Sequence, residues 1–299
     1  MMFKKLWLET VERKNSILCA GLDPADTEMK RGPESLPAGV KKYDWTMKYI
    51  EMVAPYCAGL KFNINYWKGL TDIEHYGEQE GKSDPEILKK ALNLARDREL
   101  VIIEDSKLPD IGATNDAGMY YAERADAVTV APFAGNLGEM SEQAKKRNLG
   151  IITMCIMSNP EYEIEKNKLV PIPESERVGI YPEIDVISIN GQNYVKQYLW
   201  LAYKTKQFDV PGAVIGAPSA KNHVKEEEVQ KASIYLKNKG ILIPGIGKQG
   251  GEANILFKYF PSEDCIANVG RALMFPENGD QEAAAKYYFG MLNDLRAKK

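Results

Sequence analysis

Val101-Ile102-Ile103-Glu104-Asp105-Ser106-Lys107, running on as Leu108-Pro109-Asp110-Ile111-Gly112-Ala113-Thr114, is an apolar run that ends in alternating charge. Near-continuous apolar character suits a strand of a parallel sheet, which helices cover on both faces. The same kind of run recurs along the chain. With Leu100–Asp105 as the third, the series is Ile17–Leu22, Ala58–Asn63, Ala127–Ala131, Ile151–Ile156, Ala213–Ala217, Ile241–Pro244 and Ile266–Val269. Between them lie stretches with helical spacing of apolar residues: Tyr43–Tyr56, Pro85–Asp97, Asn136–Arg147, Tyr194–Lys206, Val224–Asn238, Glu252–Tyr259 and Gln281–Ala297. Pro85–Asp97 is introduced by Ser83-Asp84-Pro85-Glu86, a capping residue followed by proline in the first turn. Alternating strands and helices imply a parallel sheet, and eight units favour closure into a (β/α)8 TIM barrel. An open, doubly wound sheet is the alternative, but no glycine-rich loop follows an early strand. Ile184–Ile189 reads as a ninth strand after the polar, proline-bearing Glu161–Pro182. We take that stretch as an extended loop or insertion after strand five, within one domain spanning residues 1–299.

The 299 residues are 44% apolar and 27% charged with a net charge of −3, the balance of an ordinary globular protein. Basic residues are dispersed among acidic ones, so no nucleic-acid partner is expected. Cys19, Cys57, Cys155 and Cys265 form no CxxC pair, which argues against a disulfide framework and fits a reducing compartment. His75 and His223 are the two histidines and both lie in polar stretches, so neither a zinc site nor a histidine triad is expected. No run reaches the ~20 apolar residues of a membrane span. The start of the chain lacks a signal-peptide apolar region, so a cytoplasmic protein is expected.

In a barrel of this kind the chemistry sits at the C-terminal ends of the strands. Asp105 and Lys107, two apart, are expected on one side of their strand. Alone they read as a rim ion pair, worth about 4 kcal/mol at ~4 Å before desolvation is subtracted. Lys61 and Asp110 extend the pair to an array of two lysines and two aspartates. Its aspartates could repel a substrate carboxylate. Its lysines could stabilise the charge left when carbon dioxide departs and supply a proton, with no metal or organic cofactor. After strand seven comes Pro244-Gly245-Ile246-Gly247-Lys248-Gln249-Gly250-Gly251, and strand eight ends at Asn268-Val269-Gly270-Arg271. Glycine N–H groups, Gln249 and Arg271 could hold a phosphate there; a glycine turn and a surface arginine are the bland reading. Ser158 in Ser158-Asn159-Pro160 and Asp23 in Leu22-Asp23-Pro24 read as turn residues or as ligands placed at strand ends. Thr114 reads as a cap for a helix starting near Asn115 or as a ligand.

At these residues the sequence resembles orotidine 5′-monophosphate decarboxylases, in their longer bacterial-type branch. The family motif Asp-x-Lys-x-x-Asp-Ile-x-x-Thr stands intact as Asp105, Lys107, Asp110, Ile111 and Thr114, with Lys61 upstream and the Ser158 and Gln249 motifs in register. The resemblance implies the conversion of orotidine 5′-monophosphate to uridine 5′-monophosphate, in pyrimidine synthesis, without cofactor. It implies that Lys107 protonates C6, that Asp105 faces the substrate carboxylate, and that Lys61 bridges Asp105 and the ribose. Asp23 would bind a ribose hydroxyl, Ser158 the pyrimidine, and Gln249 and Arg271 the phosphate. Asp110 and Thr114 would enter the other subunit's site, which implies a homodimer with shared sites. Three features depart from the pattern: Gly270 where serine is common, Glu161 after Ser-Asn-Pro, and a long, charged 161–189 segment. The rival readings are a magnesium-dependent sugar-phosphate decarboxylase or aldolase of the same barrel group, and a catalytically silent nucleotide-binding barrel.

Overall fold

The computed structural model describes residues 2–69, 83–122, 124–180, 186–246 and 252–298. Eight parallel strands close into a barrel. They are β1 (Leu18–Gly21), β2 (Gly59–Phe62), β3 (Val101–Leu108), β4 (Ala127–Val130), β5 (Gly150–Ile156), β9 (Gly212–Ile215), β10 (Gly240–Ile243) and β11 (Cys265–Val269). Around the ring the order is β1-β11-β10-β9-β5-β4-β3-β2. Each is one of the eight runs expected from the sequence. They are legible because a parallel strand buried on both faces has no polar alternation to maintain; Ala127–Val130 and Gly240–Ile243, for example, are buried throughout.

Helices α1 (Met2–Lys14), α2 (Lys42–Val53), α3 (Asp84–Asp97), α4 (Gly112–Tyr121), α5 (Leu137–Lys146), α6 (Tyr162–Lys166), α7 (Gln197–Gln207), α8 (Glu226–Leu236), α9 (Ala253–Phe257), α10 (Arg271–Met274) and α11 (Gln281–Ala297) accompany the strands. At the start of α3, Ser83 N donates to Glu86 Oε2 at 3.1 Å, as the Ser-Asp-Pro-Glu run predicts.

Helices α1, α4, α6 and α10 are absent from the expected series, and the first two bear on the barrel. Helix α1 carries Phe3, Trp7 and Val11 one turn apart, all buried. It closes the N-terminal mouth of the barrel: a Cβ on Gly59 would lie 3.1 Å from the Trp7 ring, and one on Gly150 would lie 2.6 Å from Phe3. These glycines open β2 and β5, where the helix crosses too closely for a side chain. Helix α4 begins at Gly112 rather than near Asn115, with Ile111 in the cap position. Thr114 therefore sits inside the first turn and does not cap the helix.

The insertion after β5 has structure of its own. Strands β6 (Leu169–Pro171), β7 (Ile187–Ile189) and β8 (Gln192–Lys196) form an antiparallel sheet in the order β6-β8-β7. The ninth strand is therefore real for Ile187–Ile189 but belongs to this sheet, not the barrel; Ile184 lies outside the described residues. Asn190 (φ 49°) and Gly191 (φ 79°) turn the β7–β8 hairpin, both left-handed as a two-residue I′ turn requires. Residues Tyr194–Lys196, expected to open a helix, complete β8, and α7 starts at Gln197. Buried Lys166 ties the insertion to α8 through Glu228 Oε2 and the His223 carbonyl, both at 2.7 Å.

Candidate active site

The first arc of the barrel mouth comes from four neighbouring strands. After β1, Asp23 accepts the Asn63 N–H through Oδ1 at 2.6 Å, which locks the ends of β1 and β2 together. From β2, Lys61 is 6% exposed and its Nζ donates to Asp105 Oδ2 at 2.7 Å. From β3, Lys107 Nζ donates to Asp105 Oδ1 at 2.6 Å. From β4, Thr129 Oγ1 donates to the same Oδ1 at 2.9 Å. One carboxylate thus receives two ammonium groups and a hydroxyl.

Burial pushes the Asp105 pKa up, but Lys61 and then Lys107 outweigh it and hold the carboxyl well below the usual carboxylate range. Burial likewise works to lower the pKa of Lys61, and Asp105 and Asp23 overcome it, so its pKa lies above the usual lysine value. Asp105 and Lys61 both stay charged at neutral pH because each supplies the other's counter-ion. Glu104, next along β3, belongs to a different environment. It is buried, and desolvation raises its pKa to about 7 against the weaker pull of Lys68.

The second arc frames a cavity of about 250 Å³, lined by Asp23, Arg31, Glu34, Tyr66, Asn268 and Arg271 among others. Asp23 therefore borders both the charged group and the cavity. The Arg271 guanidinium is paired with Glu34, Nη1 lying 3.0 Å from Oε2 and 3.2 Å from Oε1. Arg31 stands over the Tyr66 ring, 5.8 Å from its centroid. Gly21 and Gly270 bring the ends of β1 and β11 together here: a Cβ at Gly21 would lie 2.6 Å from Gly270 Cα. Ser158, after β5, packs against Gly216 at the end of β9, where a Cβ would come within 3.1 Å of its own.

Asp23, Lys61, Asp105, Lys107 and Arg271 thus share one end of the barrel. Asp110 does not join the group at Asp105 within one chain. It is exposed, its Oδ1 accepts the Ile111 N–H at 2.8 Å, and its carbonyl accepts from Asn115 and Asn136. Thr114 is exposed on the same rim. Gln249 lies outside the described residues. Thr129, Arg31 and Glu34 were missed from the sequence. The signal for Thr129 was available, a lone polar residue in Ala127-Val128-Thr129-Val130; Arg31 and Glu34 flank and end a single 3-10 turn, Gly32–Glu34, with no motif to mark them.

Residues 16–288 match the model of the orotidine 5′-phosphate decarboxylase / HUMPS family. The chain belongs to this family. Among curated members, the orotidine 5′-phosphate decarboxylase of Dehalococcoides mccartyi is 26% identical over 295 residues, covering 95% of this chain and 92% of that protein. That of Polaromonas naphthalenivorans is 27% identical over 285 residues, covering 93% and 89%. Solved structures share the fold at lower identity. Leishmania donovani OMP decarboxylase superposes with a TM-score of 0.69 at 19% identity, over 99% of this chain and 98% of that one. Plasmodium berghei orotidine 5′-monophosphate decarboxylase gives 0.68 at 17%, over 99% of both chains. The family match runs from just before β1 to within α11, so the eight-stranded barrel is the shared part. Among the described residues, no three or more His, Cys, Asp or Glu side chains gather as a metal site, and no helix is long and apolar enough to cross a membrane.

Proposed function

We propose that this member of the orotidine 5′-phosphate decarboxylase family converts orotidine 5′-monophosphate to uridine 5′-monophosphate and carbon dioxide, using its own side chains and no metal or organic cofactor. The observation that carries the chemistry is the Asp105 carboxylate held between Lys61 at 2.7 Å and Lys107 at 2.6 Å. A carboxylate kept ionised by buried charge repels a second carboxylate brought against it. At ~4 Å and an effective dielectric near 20 that repulsion is about 4 kcal/mol. It is relieved as the substrate carboxylate leaves as neutral carbon dioxide. The C6–carboxylate bond breaks, its electron pair remains at C6, and the Lys107 ammonium stabilises that charge and transfers a proton to it. The Lys107 side chain is 41% exposed, so solvent can reprotonate it.

The remaining roles are those that the family resemblance implies. Asp23, between the charged group and the cavity, would hold a ribose hydroxyl, and Ser158 would face the pyrimidine. Arg271 would take the phosphate, with Gln249 in the glycine-rich segment. A homodimer is part of the same reading, with Asp110 and Thr114 entering the partner's site. It is supported by the exposed apolar side chains of Ile111, Tyr120, Tyr121 and Phe133 on and beside α4, which a second copy would remove from water. A cytoplasmic setting is supported by the four cysteines, which form no CxxC pair and are all buried. The test is the loss of ultraviolet absorbance from orotidine 5′-monophosphate, with and without EDTA. Turnover insensitive to EDTA and abolished by Lys107→Ala is expected; wild-type activity in that variant refutes the proposal. No turnover of this substrate, together with an EDTA-sensitive activity on a sugar phosphate, would favour the magnesium-dependent chemistry of the same barrel group.

A further inference from the structure

The segment that carries Asp105 and Lys107 is not a regular strand. From Glu104 to Leu108, β3 advances four positions while its partner β4 advances only from Val128 to Val130, and the register shifts. Lys107 lies at φ 49°, left-handed backbone that a residue with a Cβ adopts at a cost. The ladder is broken here, so the Lys107 N–H needs an acceptor from elsewhere.

Thr129 fills that gap. Its side chain, on a residue only 1% exposed, projects from β4 into the bulge. Oγ1 accepts the Lys107 N–H at 2.9 Å and donates to Asp105 Oδ1 at 2.9 Å. The two bonds are mutually ordered. A hydroxyl has one hydrogen, and with a lone pair committed to the Lys107 amide that hydrogen is free to point at the carboxylate. Asp105 Oδ1 also accepts the Lys107 ammonium at 2.6 Å. The backbone of Lys107, the carboxylate of Asp105 and the hydroxyl of Thr129 therefore close a ring, and the Lys107 ammonium donates to the same Oδ1.

We propose that Thr129 is a positioning residue for decarboxylation, setting the Asp105 carboxylate and the Lys107 ammonium in the orientation that proton transfer to C6 requires. It touches no reacting atom and acts through these two groups. The inference rests on the catalytic reading of Asp105 and Lys107. Valine has nearly the shape of threonine and suits a strand, but can neither accept from Lys107 nor donate to Asp105. Serine keeps both bonds and loses only the methyl group.

The experiment compares Thr129→Val, Thr129→Ser and Lys107→Ala by steady-state turnover of orotidine 5′-monophosphate, the Kd of uridine 5′-monophosphate, and thermal unfolding. Thr129→Val is expected to lower kcat by about 10- to 100-fold, the scale of one lost hydrogen bond to a charged group. KM and the product Kd should stay within about 3-fold, because substrate-binding contacts remain. Thr129→Ser should restore kcat to within about 3-fold of wild type. Wild-type kcat in Thr129→Val while Lys107→Ala is inactive overturns the role of Thr129 alone; turnover in Lys107→Ala removes the reading beneath it. A Thr129→Ser chain as slow as Thr129→Val also overturns the proposal, since the methyl group would then be what matters. If Thr129→Val does not fold, Thr129→Ala takes its place, and equal kcat in the serine and alanine variants overturns it.

Discussion

Replacing Glu104 by glutamine should stabilise the protein above neutral pH and change its response to pH. Glu104 is 8% exposed on β3, and burial raises its pKa from the usual 4.5 to about 7. The folded state therefore holds a proton that the unfolded chain has already released between those two values. Stability then falls as pH rises through this window, because the native state binds more protons there. Below about pH 4.5 the group is neutral in both states and exacts no penalty. Above about pH 7 the full penalty applies, about 3 kcal/mol at ~1.4 kcal/mol per pH unit. Asp105 acts in another window: its lowered pKa contributes stability that is complete above its unfolded value near 3.8 and is lost as pH falls through the folded one. Between pH 5 and 8 the Asp105 contribution is flat, so the slope from Glu104 is separable. The assay is urea unfolding of wild type and Glu104→Gln at pH 5, 6, 7 and 8. The variant should gain about 2–3 kcal/mol on wild type between pH 5 and 8. Parallel stability curves for the two proteins refute the reasoning and mean that Glu104 ionises normally in the folded state.

Arg271→Ala should raise KM for orotidine 5′-monophosphate by at least about 10-fold, by losing a charge-assisted phosphate contact; unchanged KM and kcat count against the proposed phosphate site. Glu34→Gln should act oppositely, lowering the Kd of uridine 5′-monophosphate by about 2- to 5-fold, because Glu34 competes for Arg271 in the free protein; titration calorimetry reads this directly, and weaker binding refutes the competition. Gly21→Ala should cost at least about 1–3 kcal/mol, because its Cβ would lie 2.6 Å from the Gly270 backbone; an unchanged Tm would mean the two strand ends separate freely. Mixing inactive Lys107→Ala and Asp110→Ala chains should restore about a quarter of wild-type activity, since half the dimers are mixed and each of those has one intact site; mixtures that stay inactive refute the shared-site arrangement.

What the sequence disclosed divides by physical cause. The eight barrel strands were legible because burial on both faces leaves a local mark, an unbroken apolar run. Helix α1 left its mark too, in Phe3, Trp7 and Val11, but among lysines and glutamates it has meaning only once Gly59 and Gly150 offer a surface to close. Helix α4 was misplaced because its pattern is inverted for a barrel helix: Asn115 and Met119 are buried while Tyr120 and Tyr121 face outward. In the site, Asp105, Lys107 and Lys61 do meet, yet not for the reason that strand alternation supplies. Alternation holds only while the ladder is regular, and the register is lost after Glu104. A regular ladder would have aimed the Lys107 N–H toward β2, as the Val101 N–H donates to the Ala58 carbonyl. Here a side-chain hydroxyl takes it, from Thr129, and the same hydroxyl reaches the carboxylate that the lysine faces. The two-residue spacing is therefore produced by a bulge, and the residue that makes the bulge tenable lies on the neighbouring strand, more than twenty positions away, where no local pattern could pair it with the motif it holds.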